Sequence, residues 1–186
     1  GEKKLDGTKT VATVDGTEIP LGVVSLYARE QQQQTTSMYL SFMGSADNIW
    51  DQTADEDSGE TYGDQAVTTS LESIEKMYVL KEKAADYNVE LTEDDEAAIA
   101  DAASQFMAAN SEDTIKELAV TEDQVKTLLE LQTIQKKMYD PVVADTIKFD
   151  PSFNRTYFNM RTGDFIKAYL TLIKDNPIPA LKGYML

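Results

Sequence analysis

The sequence predicts a mostly α-helical protein, a bundle of about five helices with at most a short two-stranded sheet element. Three observations carry this reading. Apolar residues recur at helical spacing through long stretches of the chain. Helix-capping residues stand immediately before most of those stretches, at Thr92, Ser111 and Thr121. Strand-forming runs are confined to a few short pieces near the ends.

Residues 1–9 are polar and Lys-rich and read as a disordered or tag-derived lead-in. Thr10-Val11-Ala12-Thr13-Val14 is β-prone and ends in Asp15-Gly16, a tight-turn signal. Pro20 suits the first turn of a helix, where its missing N–H costs nothing. Leu21, Val24, Tyr27, Ala28, Gln31, Met38 and Phe42 keep helical register, and Gly44 is a natural stop. The Gln run at 31–34 sits mid-helix and reads as a solvated face. Residues 44–65, acidic and rich in Gly and Ser, read as a long loop headed by Trp50.

A second helix is predicted from about Asp64 to Tyr87, with Val67, Leu71, Ile74, Met77, Tyr78 and Leu80 on its apolar face. Thr92 caps a third helix, whose first turn carries Glu93, Asp94 and Asp95 at the positive end of the dipole. Ser111 caps a short fourth helix through Leu118. Thr121-Glu122-Asp123-Gln124 is a capping box opening a fifth. Asp140-Pro141 should interrupt that helix, and Ile147-Lys148-Phe149 is a candidate strand returning to Val11–Val14.

Charge divides the chain near residue 150. The whole carries 17 basic and 33 acidic residues, a net of −16. Residues 151–186 hold five basic residues (Arg155, Arg161, Lys167, Lys174, Lys182) against Asp164 and Asp175, which leaves −19 for residues 1–150. A helical domain at 10–150 followed by a basic, aromatic segment at 151–186 docked on the acidic body is the expected organisation. Such a tail could also reach a second copy and form a swapped homodimer. Strong acidity argues against nucleic acid and against an anionic membrane surface as partners. There is no Cys and no His, which removes Ser-His-Asp and Cys-His catalysis and every His- or Cys-ligated metal site.

Two clusters are candidates for function. Tyr27, Met38, Tyr39, Phe42, Met43 and Trp50 gather around the end of the first helix. Helical spacing makes core the plainer role for most of them. The stretch around Met38 to Met43 nevertheless overruns one helical face, so Tyr39, Phe42, Met43 and Trp50 are the candidate peptide-binding residues; thioethers and aromatics adapt to varied side chains. Asp51, Asp55, Glu56, Asp57, Glu60 and Asp64 could offer oxygen ligands, but counting from Asp51 the sixth position is Glu56 and the twelfth Tyr62, which breaks the calcium-loop register. No metal, no cofactor and no catalytic residue is expected.

The order of phrases along the chain resembles the N-terminal helical domain of the SurA-like and PrsA-like extracytoplasmic foldases. The phrases are the Asp15-Gly16 turn with Thr17-Glu18-Ile19 before a long helix, then Asp86-Tyr87-Asn88-Val89-Glu90-Leu91-Thr92-Glu93-Asp94-Asp95. Leu118-Ala119-Val120-Thr121-Glu122-Asp123-Gln124-Val125 and Leu131-Gln132-Thr133-Ile134-Gln135-Lys136-Lys137-Met138 follow. The family's members are exported chaperones or peptidyl-prolyl isomerases. Their parvulin domain, with its histidines, has no counterpart here. The resemblance therefore implies non-catalytic, chaperone-like binding of unfolded or secreted polypeptides outside the cytoplasm. Many Gram-positive members are cell-surface lipoproteins; a lipid anchor would lie upstream of Gly1. The alternative from a different class is a structural or interaction lipoprotein serving one specific partner.

Overall fold

The computed structural model describes residues 6–44, 49–139 and 155–157. Among these the fold is mostly helical, with five α-helices and two small sheets.

Strands β1 (Thr10–Val14) and β2 (Thr17–Pro20) form an antiparallel hairpin in which Val14 faces Thr17 and Ala12 faces Ile19. Asp15 and Gly16 turn it with φ of 48° and 81°. Positive φ at both central residues is what a two-residue hairpin turn requires, and Asp-Gly supplies it at little cost. The sheet component is larger than the sequence predicts. Residues 17–20 are a strand rather than a lead-in to the helix. A third strand, β5 (Arg155–Tyr157), pairs antiparallel to the other edge of β1 with Ala12 opposite Tyr157. The returning strand predicted at 147–149, the break at Asp140-Pro141 and most of the 151–186 segment lie outside the described residues.

Helix α1 (Leu21–Met43) starts directly from β2, and Pro20 offers no side-chain cap. The first N–H groups of a helix need partners, and here backbone carbonyls upstream provide them. Leu21 N–H donates to the Lys9 carbonyl at 2.7 Å and Gly22 N–H to the Gly7 carbonyl at 2.9 Å. The Gln124 side-chain amide donates to the same Gly7 carbonyl at 2.8 Å. Residues 6–9, expected to be a disordered lead-in, instead form a turn across the starts of α1 and α5. Gly22 is required at this junction, because a Cβ there would stand 2.1 Å from Gln124 Oε1 and 2.9 Å from the Ala119 carbonyl.

The 44–65 region is not wholly loop. A 3-10 turn (Ile49–Asp51) leads to a small hairpin of β3 (Thr53–Asp55) and β4 (Glu60–Thr61). Helix α2 (Tyr62–Lys83) begins two residues before the predicted start, capped by a reciprocal box between Thr61 and Asp64. A 3-10 turn (Ala84–Tyr87) and left-handed Asn88 (φ 56°) end it. Helices α3 (Glu93–Ala109) and α5 (Glu122–Met138) carry capping boxes at Thr92 and Thr121, and Ser111 caps α4 (Glu112–Leu118).

The core lies where α1, α2 and α5 meet, closed by β1 and β2 at one side and by α3 and α4 at the other. Ile19, Leu21, Leu26, Ile74, Met77, Phe106, Leu118, Leu128 and Leu131 are fully buried in it. Ser25 ties α1 to the end of α4 by donating to the Leu118 carbonyl at 2.6 Å. A smaller cluster of Leu80, Ala84, Ile134 and Met138 seals the far end of α2 against α5.

Candidate functional site

Beyond residue 32, α1 departs from the core and runs beside the start of α2. Between them, under the Ile49–Asp51 turn, lies a cavity of about 270 Å³. Helix α1 contributes Tyr27, Gln31, Gln32, Thr35 and Tyr39 to its wall. Positions 27, 31, 35 and 39 are four residues apart, so they stack along one helical face. From α2 come Tyr62, Gln65, Ala66, Thr69 and Ser70, which repeat at three- and four-residue spacing. The turn adds Ile49, Trp50 and Gln52.

The placement of Trp50 follows from backbone contacts on either side of it. Tyr62 N–H donates to the Gln52 carbonyl at 3.0 Å, which holds the turn against the first residue of α2. A Cβ on Gly63 would lie 2.9 Å from the Trp50 carbonyl, so glycine at this position permits the close approach. Ile49 is buried and Trp50 half-buried.

Among the described residues no charged side chain lines the cavity, although 27% of the chain is charged. Gln32 is buried, and its Oε1 accepts a hydrogen bond of 2.9 Å from Arg29 Nη1, itself buried behind the wall. That contact occupies the amide oxygen of Gln32 and leaves its NH₂ as the remaining donor group. Side chains of Gln31, Gln65, Thr69 and Ser70 make no hydrogen bond to another described residue. Groups with shifted pKa lie elsewhere. Burial, aided by the Glu130 charge, raises the Tyr78 phenol to about 12. Burial and then the neighbouring Asp15 carboxyl raise Glu82.

Of the four residues that the sequence nominates, the structure brings Tyr39 and Trp50 together at the cavity. Phe42 and Met43 stand apart from it at the end of α1, 82% and 72% exposed, with Met38 and Leu40 each 51% exposed beside them. Core is therefore the wrong reading for this end of the helix, although it holds for Met77, Tyr78, Phe106 and Met138. The Gln run is also not a solvated face, since Gln32 is buried, Gln31 and Gln33 are half-buried and only Gln34 is exposed. The acidic residues at 51–64 do not converge, and among the described residues no group of three or more acidic side chains could hold a metal ion. Sequence reasoning missed Gln31, Gln32, Thr35, Gln52, Tyr62, Gln65, Thr69 and Ser70. The signal for half of this wall was the polar and aromatic stripe at 27, 31, 35 and 39. Compared with protein-family models, curated proteins and solved structures, the chain matches none.

Proposed function

We propose that this protein binds unfolded polypeptides without catalysing a reaction on them, outside the cytoplasm, in the manner of the helical modules of SurA-like and PrsA-like foldases. The observation that carries the reading is the end of α1, where Met38, Leu40, Phe42 and Met43 present apolar side chains to solvent. Large apolar side chains gathered on a surface mark an interaction site more often than chance, and methionines accommodate partners of varied shape.

Net charge narrows the choice of partner. At −16 the protein attracts basic, extended chains and repels acidic ones. Apolar side chains of such a chain would lie against Phe42 and Met43, and its Lys and Arg residues would face the acidic surroundings. Tyr78, Glu82 and Asp95, whose pKa values are shifted, do not line the cavity, which supports binding rather than acid–base chemistry there.

The test replaces Phe42 and Met43 together with Ser and measures suppression of aggregation of an unfolded basic client alongside thermal stability. Loss of suppression at unchanged Tm is the expected result. Full suppression by the double variant would overturn the proposal. Raising ionic strength should weaken suppression of a basic client more than that of a neutral one, because screening removes only the electrostatic part.

A further inference from the structure

We infer that the cavity between α1 and α2 is a binding site for a neutral, polyhydroxylated ring, a single hexose unit of an uncharged carbohydrate. This goes beyond polypeptide binding at the helix end and rests on different side chains.

Charge is the first argument. Among the described residues thirteen line the cavity and none is ionisable at neutral pH, in a chain with 33 acidic residues. Among the described residues the wall offers an anion no cationic side chain, since Arg29 stands behind it bonded to Gln32, and a cation would leave water without a carboxylate in that wall to replace it. The ligand is therefore neutral.

Hydrogen-bonding capacity is the second. Gln31, Gln65, Thr69 and Ser70 spend none of their side-chain donors or acceptors on other described residues, and Gln32 keeps its NH₂ after bonding Arg29. A hydrocarbon ligand would bury these groups unpaired, each at the cost of its desolvation. Amides and hydroxyls both donate and accept, and so does every sugar hydroxyl. The third argument is the aromatic content: Tyr27, Tyr39, Trp50 and Tyr62 give the wall apolar surfaces with polar tips. A pyranose ring has the same division, with C–H groups on its faces and hydroxyls at its rim.

Size and backbone chemistry choose between a sugar and a peptide. At about 270 Å³ the cavity lies at the small end for ligand sites, enough for one substituted ring. Its walls are mainly two helices, whose backbone groups are used internally. Among the described residues that line it, a peptide would find no strand edge along which to pair its own backbone.

Trp50 is the only tryptophan of the chain, so its fluorescence reports on the cavity alone. The experiment titrates the protein with maltose, cellobiose and N,N′-diacetylchitobiose, and with glucuronate as the charged control. A saturable change with at least one neutral sugar and none with glucuronate is expected. Gln65→Leu should weaken that response at least tenfold at unchanged Tm. Where that variant fails to fold, Thr69→Val takes its place, and the side-chain NH₂ resonances of Gln31 and Gln65 in the unaltered protein provide an independent readout. The Phe42→Ser, Met43→Ser double variant should keep the sugar response, so failure here and failure of the polypeptide reading are separate results. Silence of both Trp50 and the Gln resonances at ~50 mM of every sugar, far above a millimolar Kd, would overturn the inference. So would an equal response to glucuronate, or saturation of the cavity by a capped neutral tripeptide.

Discussion

The two halves of α1 are equally rich in large apolar side chains but have opposite surroundings. In residues 21–32, Leu21, Val23, Val24, Leu26 and Ala28 are buried, and even Ser25, Arg29 and Gln32 are largely buried. In residues 33–43, Met38, Leu40, Phe42 and Met43 are all at least half exposed. The first half is enclosed: Gly22 meets Gln124 of α5, Ser25 meets the end of α4, and Glu30 accepts from Gln132 of α5 at 3.1 Å. The cavity spans the junction, lined by Tyr27, Gln31 and Gln32 of the first half and by Thr35 and Tyr39 of the second. Apolar content thus does not distinguish a buried segment from an exposed one. What packs around it does.

The sharpest way to break this comparison is a matched pair of truncations. Leu26→Ala should cost about 2–5 kcal/mol, because Leu26 is fully buried and its neighbours cannot all collapse into the space. Phe42→Ala removes a larger side chain and should cost less than about 0.5 kcal/mol. Urea denaturation of both variants checks the pair, and equal losses would dissolve the distinction.

Gly22→Ala should destabilise by about 1–3 kcal/mol through overpacking against Gln124 and the Ala119 carbonyl. Its counterpart Gly44→Ala meets no atom within 4 Å but sits at a φ of 72°. It should cost only the left-handed backbone strain, about 1 kcal/mol. Ser25→Ala should cost about 1–2 kcal/mol, since the buried Leu118 carbonyl loses a donor.

Acid should loosen the support of the first half without touching the second. Lys137 on α5 bonds the Asp95 carboxylate at the start of α3, and that bond, with the Thr92 backbone N–H, holds Asp95 at about 2 against an ordinary 3.8. A lowered folded-state pKa means that the contribution is complete above 3.8 and is lost as pH falls towards 2. Glu82 works in the opposite sense. Its raised pKa gives a contribution present at low pH and lost as pH rises through the folded-state value. Lys137→Met should flatten the loss of urea midpoint between pH 4 and pH 2, and an unchanged acid slope would refute the pairing.

How much of this was legible depends on how local each signal is. The boxes at Thr92 and Thr121 and the cap at Ser111 are visible because cap and partner lie three residues apart. Thr61 and Asp64 obey the same spacing, but Gly63 and the acidic residues before them disguise the start of α2 as loop. Residues 6–9 look featureless, yet their carbonyls take partners distant in sequence, the Leu21 and Gly22 N–H groups and the Gln124 side-chain amide. Tyr39 and Trp50 were nominated for their residue types. Gln65, Thr69 and Ser70 were not, because polar residues on a helix ordinarily face water.

The sequence by itself determined where α3, α4 and α5 start, that helix dominates, and that His and Cys chemistry is absent, since these follow from composition and from contacts a few residues apart. Only the tertiary structure decided which half of α1 is core, that the glutamines turn inward, and that the chain at Arg155–Tyr157 returns to β1. Each of these is settled by a partner distant in sequence: α5 closing over residues 21–32, α2 standing off from residues 33–43, and a strand edge left open by β2. A stripe of Tyr, Gln, Thr and Tyr four residues apart suits solvent, core or a ligand equally well until a second helix stands opposite it.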